Sequence, residues 1–357
     1  MEKKPGFPIR LLTIAGLSAS TLLFESSLTR FLAVAEHYHF AFLVVSLALL
    51  GLGASGTLLY VFPGINRIPL SRLLALVSLG LSCSIGLAYL VVNYLPFDSY
   101  SIAWERRQLF YFAVYYLALS LPFLVGGLGV GAALSQHSQR HHWVYGANLL
   151  GSAFGVGLSP LSLSLSGVPG TVLFSVLLAA GGWFLLMRGS RRWTAVLSSL
   201  FWGLGMLLFA LLTALNLQGD SPLGMQLSSY KGLSQALRYP GSRRVYQRWN
   251  AISRVDVVAA AGIRKLPGLS YQFPGTPPEQ MGLAVDAGSP QPIPMDLEAS
   301  ARAAAWLPEA GAFRLHPGAD VLVLNPVGGL GILQALEGGA NQITAVVGNP
   351  LLLEASS

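Results

Sequence analysis

The sequence reads as an α-helical membrane bundle of about seven transmembrane helices followed by a small α/β tail. Three observations carry this reading. Charge is scarce, and the scarcity is confined to the first 215 residues. Long apolar runs fill that same stretch. The last forty or so residues then spell strand, glycine turn, helix, strand. Of the 357 residues 53% are hydrophobic and 10% charged, against roughly 25% charged in ordinary soluble domains. Before residue 216 there are twelve Lys and Arg but only Glu2, Glu25, Glu36, Asp98 and Glu105, a net +7. The remainder holds ten of each sign and is neutral. The positive charge therefore belongs to the loops of a membrane part, where basic residues set orientation, and gives no reason to propose nucleic acid. The single cysteine, Cys83, lies in an apolar run. It excludes an internal disulfide and a CxxC metal site, and reads as a small buried hydrophobe.

A transmembrane helix needs about 20 mostly apolar residues. The runs at 9–34, 40–62, 71–95, 108–135, 143–166, 168–187 and 193–215 meet that length. The first carries Glu25 and Arg30 and is followed by further spans, so it is not a cleaved signal peptide. The fifth and sixth are separated only by the short turn "LSGVPG". With the N-terminus in the cytoplasm, one side collects Lys3, Lys4, Arg10, Arg67, Arg72, Arg140, Arg188, Arg191 and Arg192. The other collects Arg30, Arg106 and Arg107. That asymmetry favours the N-terminus inside, and seven crossings then send the tail outside. Small-residue runs, "GLGASG", "GGLGVG" and "GSAFG", suit close helix packing.

Three polar residues inside spans are candidate functional groups: Glu25 and Arg30 in the first and Asn148 in the fifth. A charge at the bilayer centre costs about 2.5–3.5 kcal/mol on insertion scales, so such groups face the bundle interior and pair. Five positions turn about 500° round a helix, which leaves Glu25 and Arg30 ~140° apart. Arg30 is expected to snorkel to the interface, and Asn148 is a candidate partner for Glu25. His37 and His39 share one loop, and His137, His141 and His142 another. No acidic or cysteine residue accompanies them in the manner of a metal site.

The chain divides into a bundle (1–215), a connecting region (216–300) and a closing βαβ unit (301–357). In the connecting region "YKGLSQALRY" has helical spacing and "RVYQRWNAISRVDVV" alternates like a strand or hairpin. "LPGLSYQFPGTPPEQMG" is loop, and "ASARAAAWLP" a short helix. In the closing unit Asp320–Leu324 is a strand, "NPVGGLG" a turn, "GILQALEGG" a helix and "ITAVV" a second strand. Such a turn brings backbone N–H groups and a helix N-terminus to a ligand. The candidate cofactor-binding residues are Asn325, Gly328, Gly329 and Gly331. Two features depart from the pattern. No acidic residue ends the second strand, where Val347 stands, and Val327 is β-branched in a turn that favours φ > 0.

These stretches together resemble the bacterial membrane-anchored spermidine synthase-like family. The resemblance rests on "LFESSLTRFLAV", "FAFLVVSLALLGLGASG", "VYGANLLGSAFG", "SYKGLSQALRYPGSRRVYQRWNAISRVDVV", "PGLSYQFPGTPPEQMGLAVD" and "VLVLNPVGGLGILQAL…ITAVVGNPLLLEA", in order along the whole chain. It implies a cytoplasmic-membrane protein whose tail resembles the start of a methyltransferase-like Rossmann fold. It also implies aminopropyl transfer, with decarboxylated S-adenosylmethionine as co-substrate and a diamine as acceptor. Family members read Gly at positions 325 and 327, an acidic residue at 347 and Asp at 148. The departures here imply a degenerate or incomplete version, or one whose sheet is completed by a second chain or a homo-oligomer, in contact with the lipid bilayer. No residue is assigned as catalytic. The nucleotide chemistry requires a cytoplasmic tail, which conflicts with seven crossings. The alternative expectation is a membrane transport or scaffold protein with a vestigial nucleotide-binding tail.

Overall fold

The computed structural model of the chain describes residues 6–36, 39–136, 139–187, 192–218 and 224–356, with only the backbone of 192–195. Lys3, Lys4, His37, His137, Arg188 and Arg191 lie outside these residues. The described chain forms two compact units, Met1–Gln226 and Leu227–Ser357.

Six helices of the first unit are long and apolar enough to cross a bilayer. They are α1 (Phe7–Ala35), α2 (Phe40–Val61), α3 (Leu70–Tyr94), α4 (Arg106–Gln136), α5 (His141–Met187) and α6 (Arg192–Leu217). A continuous helix of 47 residues, the length of α5, would extend about 70 Å, more than twice a ~30 Å hydrocarbon core. It is not continuous. Gly167, within the "LSGVPG" turn, has φ 62° and ψ −171°, a region essentially restricted to glycine.

Neighbour contacts show what this break does. A Cβ at Gly151 or Gly155 would overlap the carbonyl of Ala15 or Ala19 respectively, so the limb 141–166 runs in the same direction as α1. Beyond the break, Gly182 meets Thr13, Gly16 faces Leu178, and Ser20 Oγ donates to Ser175 O at 2.7 Å. Here α1 numbers rise as α5 numbers fall, so the limb 168–187 runs the other way. α5 is a hairpin whose two limbs clasp α1. Ser162 Oγ donates across the break to Thr171 Oγ1 at 3.0 Å, and Asn216 Nδ2 of α6 donates to Leu165 O at 3.0 Å.

The remaining helices fit this frame. α3 contacts the second limb through Ser82 Oγ to Val176 O (3.1 Å) and Ser78 against Gly182. α6 lies against the same limb through Trp202 Nε1 to Leu177 O (3.1 Å), and the Trp202 ring stacks on Phe184. At one end of the bundle Arg140 covers the Phe7 ring and Ser135 Oγ donates to Asn66 Oδ1. At the other end, beyond α6, Asn93 Nδ2 donates to Gly224 O and the Gln226 N–H donates to Asn93 Oδ1. The chain therefore leaves the first unit at the end opposite Phe7. Cys83 corrects the sequence reading: it lies exposed on the outward face of α3, where a thiol is a lipid-facing group.

The second unit opens with α7 (Gly232–Ala236) and an antiparallel sheet in the order β1-β2-β3-β4. Its strands are β1 (Arg243–Trp249), β2 (Arg254–Ala259), β3 (Gln280–Val285) and β4 (Gln291–Pro294). β1 and β2 form the expected hairpin, with a bulge between Arg244 and Tyr246. The sequence reading lacked β3 and β4. β4 carries Pro292 and Pro294, which cannot donate to a ladder, so it can lie only at an edge, where it is found. α8 (Leu297–Ala304) is capped by Asp296, whose Oδ1 accepts from the Ala299 N–H at 2.9 Å. α9 (Ala310–Leu315) precedes β5 (Asp320–Leu324), α10 (Leu330–Glu337), β6 (Gln342–Val346) and α11 (Pro350–Ser356). β5 and β6 pair in parallel from Asp320↔Gln342 to Leu324↔Val346.

Because only glycine enters the backbone region of residue 167, Gly167→Val is expected to cost roughly 1–3 kcal/mol and to lower the folded yield in detergent. Size-exclusion chromatography of the purified variant checks this; an unchanged monodisperse yield would show that the hairpin does not depend on that conformation.

Candidate functional site

The glycine turn was the strongest candidate site in the sequence. Its backbone has the curvature such a turn needs. Asn325 has φ 55°, Gly328 φ 74° and Gly329 φ 85°. Asn is among the few residues that enter the left-handed region at small cost, which explains how it stands where glycine would. Val327 is not strained, because the positive φ angles fall on its neighbours. The Asn325 N–H donates to Val346 O at 2.8 Å, so the turn is tied to the end of β6.

What the turn faces decides what it can do. Gly328 is buried, and a Cβ there would overlap the carbonyl of Pro292 on β4. Val327 and Val347 pack onto a core of Val255, Val257, Leu283, Ile293 and Leu352. The position from which an acidic side chain would reach ribose hydroxyls is thus an apolar contact with the antiparallel sheet. Of the four candidate residues, Asn325 is exposed, Gly329 has open space beside it, and Gly331 approaches Val323. Only part of the turn is free, and the part nearest the core is covered by the unit's own strands.

A polar network missed in the sequence locks this packing. Asn349, just after β6, donates through Nδ2 to Ser253 Oγ at 2.7 Å and accepts from Asn250 Nδ2 at 2.6 Å. Asn250 Oδ1 accepts the N–H groups of Ile252 and Ser253. The turn between β1 and β2 is therefore fastened to the start of α11. The opposite face of β2 carries a buried ion cluster. Arg254 Nη2 lies 2.7 Å from Asp256 Oδ1, with side chains 2% and 0% exposed, and Arg244 Nε lies 3.2 Å from the same oxygen. Burial pulls the Arg244 guanidinium below its usual pKa, and Asp256 acts in the opposite direction. The Asp256 carboxylate thus lies between two guanidinium groups, and removing either member of the buried Arg254–Asp256 pair would leave the other without its counter-charge.

The three intramembrane polar residues do not form one site. Asn148 Oδ1 accepts from Ser18 Oγ at 2.8 Å, so Asn148 is not the partner of Glu25. Ser18 and Glu25 are seven residues apart on α1, about 10 Å along the axis. Glu25 is half-buried and, among the described residues, its carboxylate has no hydrogen-bond or ion-pair partner. Arg30 is also half-buried, five residues before α1 ends. His141 and His142 are exposed with ring centroids 6.1 Å apart, and the described residues contain no group of three metal-binding side chains.

No family model, curated protein or solved structure matches the chain. The fold itself defines the class: a multi-pass helical membrane protein with a smaller C-terminal unit built on β-sheet.

Removing the carboxylate from the buried cluster leaves Arg254 without its counter-charge. Asp256→Ala is expected to destabilise the C-terminal unit by roughly 3–5 kcal/mol. Hydrogen exchange of the β1 and β2 amides reads this directly, and unchanged protection would remove the cluster from the account of stability.

Proposed function

We propose that the chain is a seven-crossing membrane protein that resembles spermidine synthase-like proteins in architecture but has given up their nucleotide chemistry. Its C-terminal unit acts as a scaffold module on the non-cytoplasmic side. One observation carries the loss of chemistry. Val327, Gly328 and Val347 of the turn region pack against the unit's own antiparallel sheet, which covers the part of the turn nearest the core. The absence of an acidic residue at 347 points the same way, since nothing there can accept the ribose hydroxyls.

The sidedness is supported by independent features. The α5 hairpin adds a reversal within the bundle, giving an odd number of crossings. The segment after α6 binds Asn93, at the end away from Phe7. Arg10, Arg67, Arg72 and Arg140 belong to the Phe7 end, and Arg30, Arg106 and Arg107 to the other; in the sequence Lys3, Lys4, Arg188, Arg191 and Arg192 fall on the Phe7 side. The basic excess supports a cytoplasmic Phe7 end. The C-terminal unit then lies outside, away from cytosolic adenosyl compounds.

Isothermal titration of the purified protein with decarboxylated S-adenosylmethionine is expected to show no saturable binding. A dissociation constant of about 1 μM or tighter would restore the aminopropyltransferase reading. Reporter fusions after Ser357 are expected to be active only for the reporter that works outside the cytoplasm. Activity of the cytoplasmic reporter would overturn the seven-crossing topology.

A further inference from the structure

The two limbs of α5 diverge from Gly167 and leave a groove between them that the protein does not fill. Its floor is α1, where Ala15, Gly16 and Ala19 present little side chain. One wall is Leu150 and Phe154 of the first limb. The other is formed by the second limb and α6, including Trp202. The cavity measures about 360 Å³. Leu150 and Phe154 are 74% and 58% exposed, so the groove opens on the outside of the bundle, in the stretch of helix that crosses the hydrocarbon.

Four observations decide what occupies it. Every side chain lining it is apolar, and the one polar group, the Trp202 N–H, is already donated to Leu177 O. A polar ligand or water would find no partner there, and cavities of this kind stay dry. An unfilled apolar void forfeits the dispersion contacts of its lining. The groove lies between helices long and apolar enough to cross a bilayer, where hydrocarbon chains are the surrounding medium. A hydrocarbon chain, on the order of 4 Å across, is narrow enough to lie along a groove of this volume.

We propose that this groove is a binding site for one acyl chain of a membrane phospholipid, held between the α5 limbs and α6 against the small residues of α1. Trp202 is a wall of the site and serves as its reporter. The proposal rests on the membrane embedding of the bundle and is independent of the state of the C-terminal unit.

The test uses the full chain in vesicles of phosphatidylcholine containing a rising fraction of phosphatidylcholine with brominated acyl chains, which quench tryptophan on contact. The Trp202 signal is the difference between the protein and Trp202→Phe. It is expected to be quenched saturably, at a brominated fraction several-fold lower than the bulk average demands. Gly16→Leu adds a side chain at the groove floor, where a Cβ would meet Leu178 O at an ordinary 3.6 Å. In that variant the Trp202 quenching should rise only in proportion to the brominated fraction. If Gly16→Leu folds poorly, the quenching curve of the unmodified protein decides by itself. Proportional quenching in the unmodified protein would mean ordinary surrounding lipid and would overturn the site. Absence of quenching would mean that protein covers the groove, and would overturn it equally.

Discussion

The packing of α1 into the α5 hairpin is the contact on which the membrane unit depends. Gly151 and Gly155 let the first limb approach until its Cα atoms lie against the carbonyls of Ala15 and Ala19. Without a hydrophobic driving force between helices in lipid, such close approach is what allows dispersion and hydrogen bonds to hold a bundle together. The second limb meets α1 through Ser20 and Ser175 and through Thr13 and Gly182. α3 and α6 attach to that limb, and α3 also meets α1 directly through the Phe31 and Tyr89 rings, 5.8 Å apart. The same clasp leaves the cavity beside Trp202. Where α1 carries small residues but no limb covers them, space remains.

The C-terminal unit shows a comparable economy. The glycine turn combines positive φ at Asn325, Gly328 and Gly329 with the packing of Val327 into a hydrophobic core. Gly328 is needed because Pro292 lies against it. A positive-φ glycine beside a strand end can serve close packing as well as ligand approach, and here Gly328 lies against the Pro292 carbonyl. Asn349 then ties the start of α11 to the turn between β1 and β2. These contacts join the antiparallel sheet to the βαβ unit.

Much of the architecture was legible in the sequence because it rests on local rules. Six apolar helices follow from runs of about 20 apolar residues, and their ends fall within a few residues of those expected. β1, β2, β5, β6, α7, α8 and α10 follow from alternation, helical spacing and glycine stops. β3 and β4 were not legible. "QMGLAV" is short and "QPIP" contains two prolines, so their pairing depends on a neighbour distant in sequence. The Asn148 side chain was recognised as a buried polar group, but its partner Ser18 could not be chosen over Glu25 without knowing the rotation of α1 against α5. Cys83 failed for the same reason. An apolar run does not say which of its faces meets lipid.

The sequence by itself determined the length and apolarity of the helices, the basic asymmetry of their loops and the backbone curvature of the glycine turn. Each depends on residues close together in the chain. The sequence also marked the turn at "LSGVPG" where α5 breaks; only the tertiary structure decided that the two limbs of α5 clasp α1, that Val327 and Val347 point into a core, and that a cavity remains between the α5 limbs. These depend on which surfaces meet, and packing between segments more than a hundred residues apart, such as Ser18 with Asn148, is set by shape complementarity that no local pattern encodes.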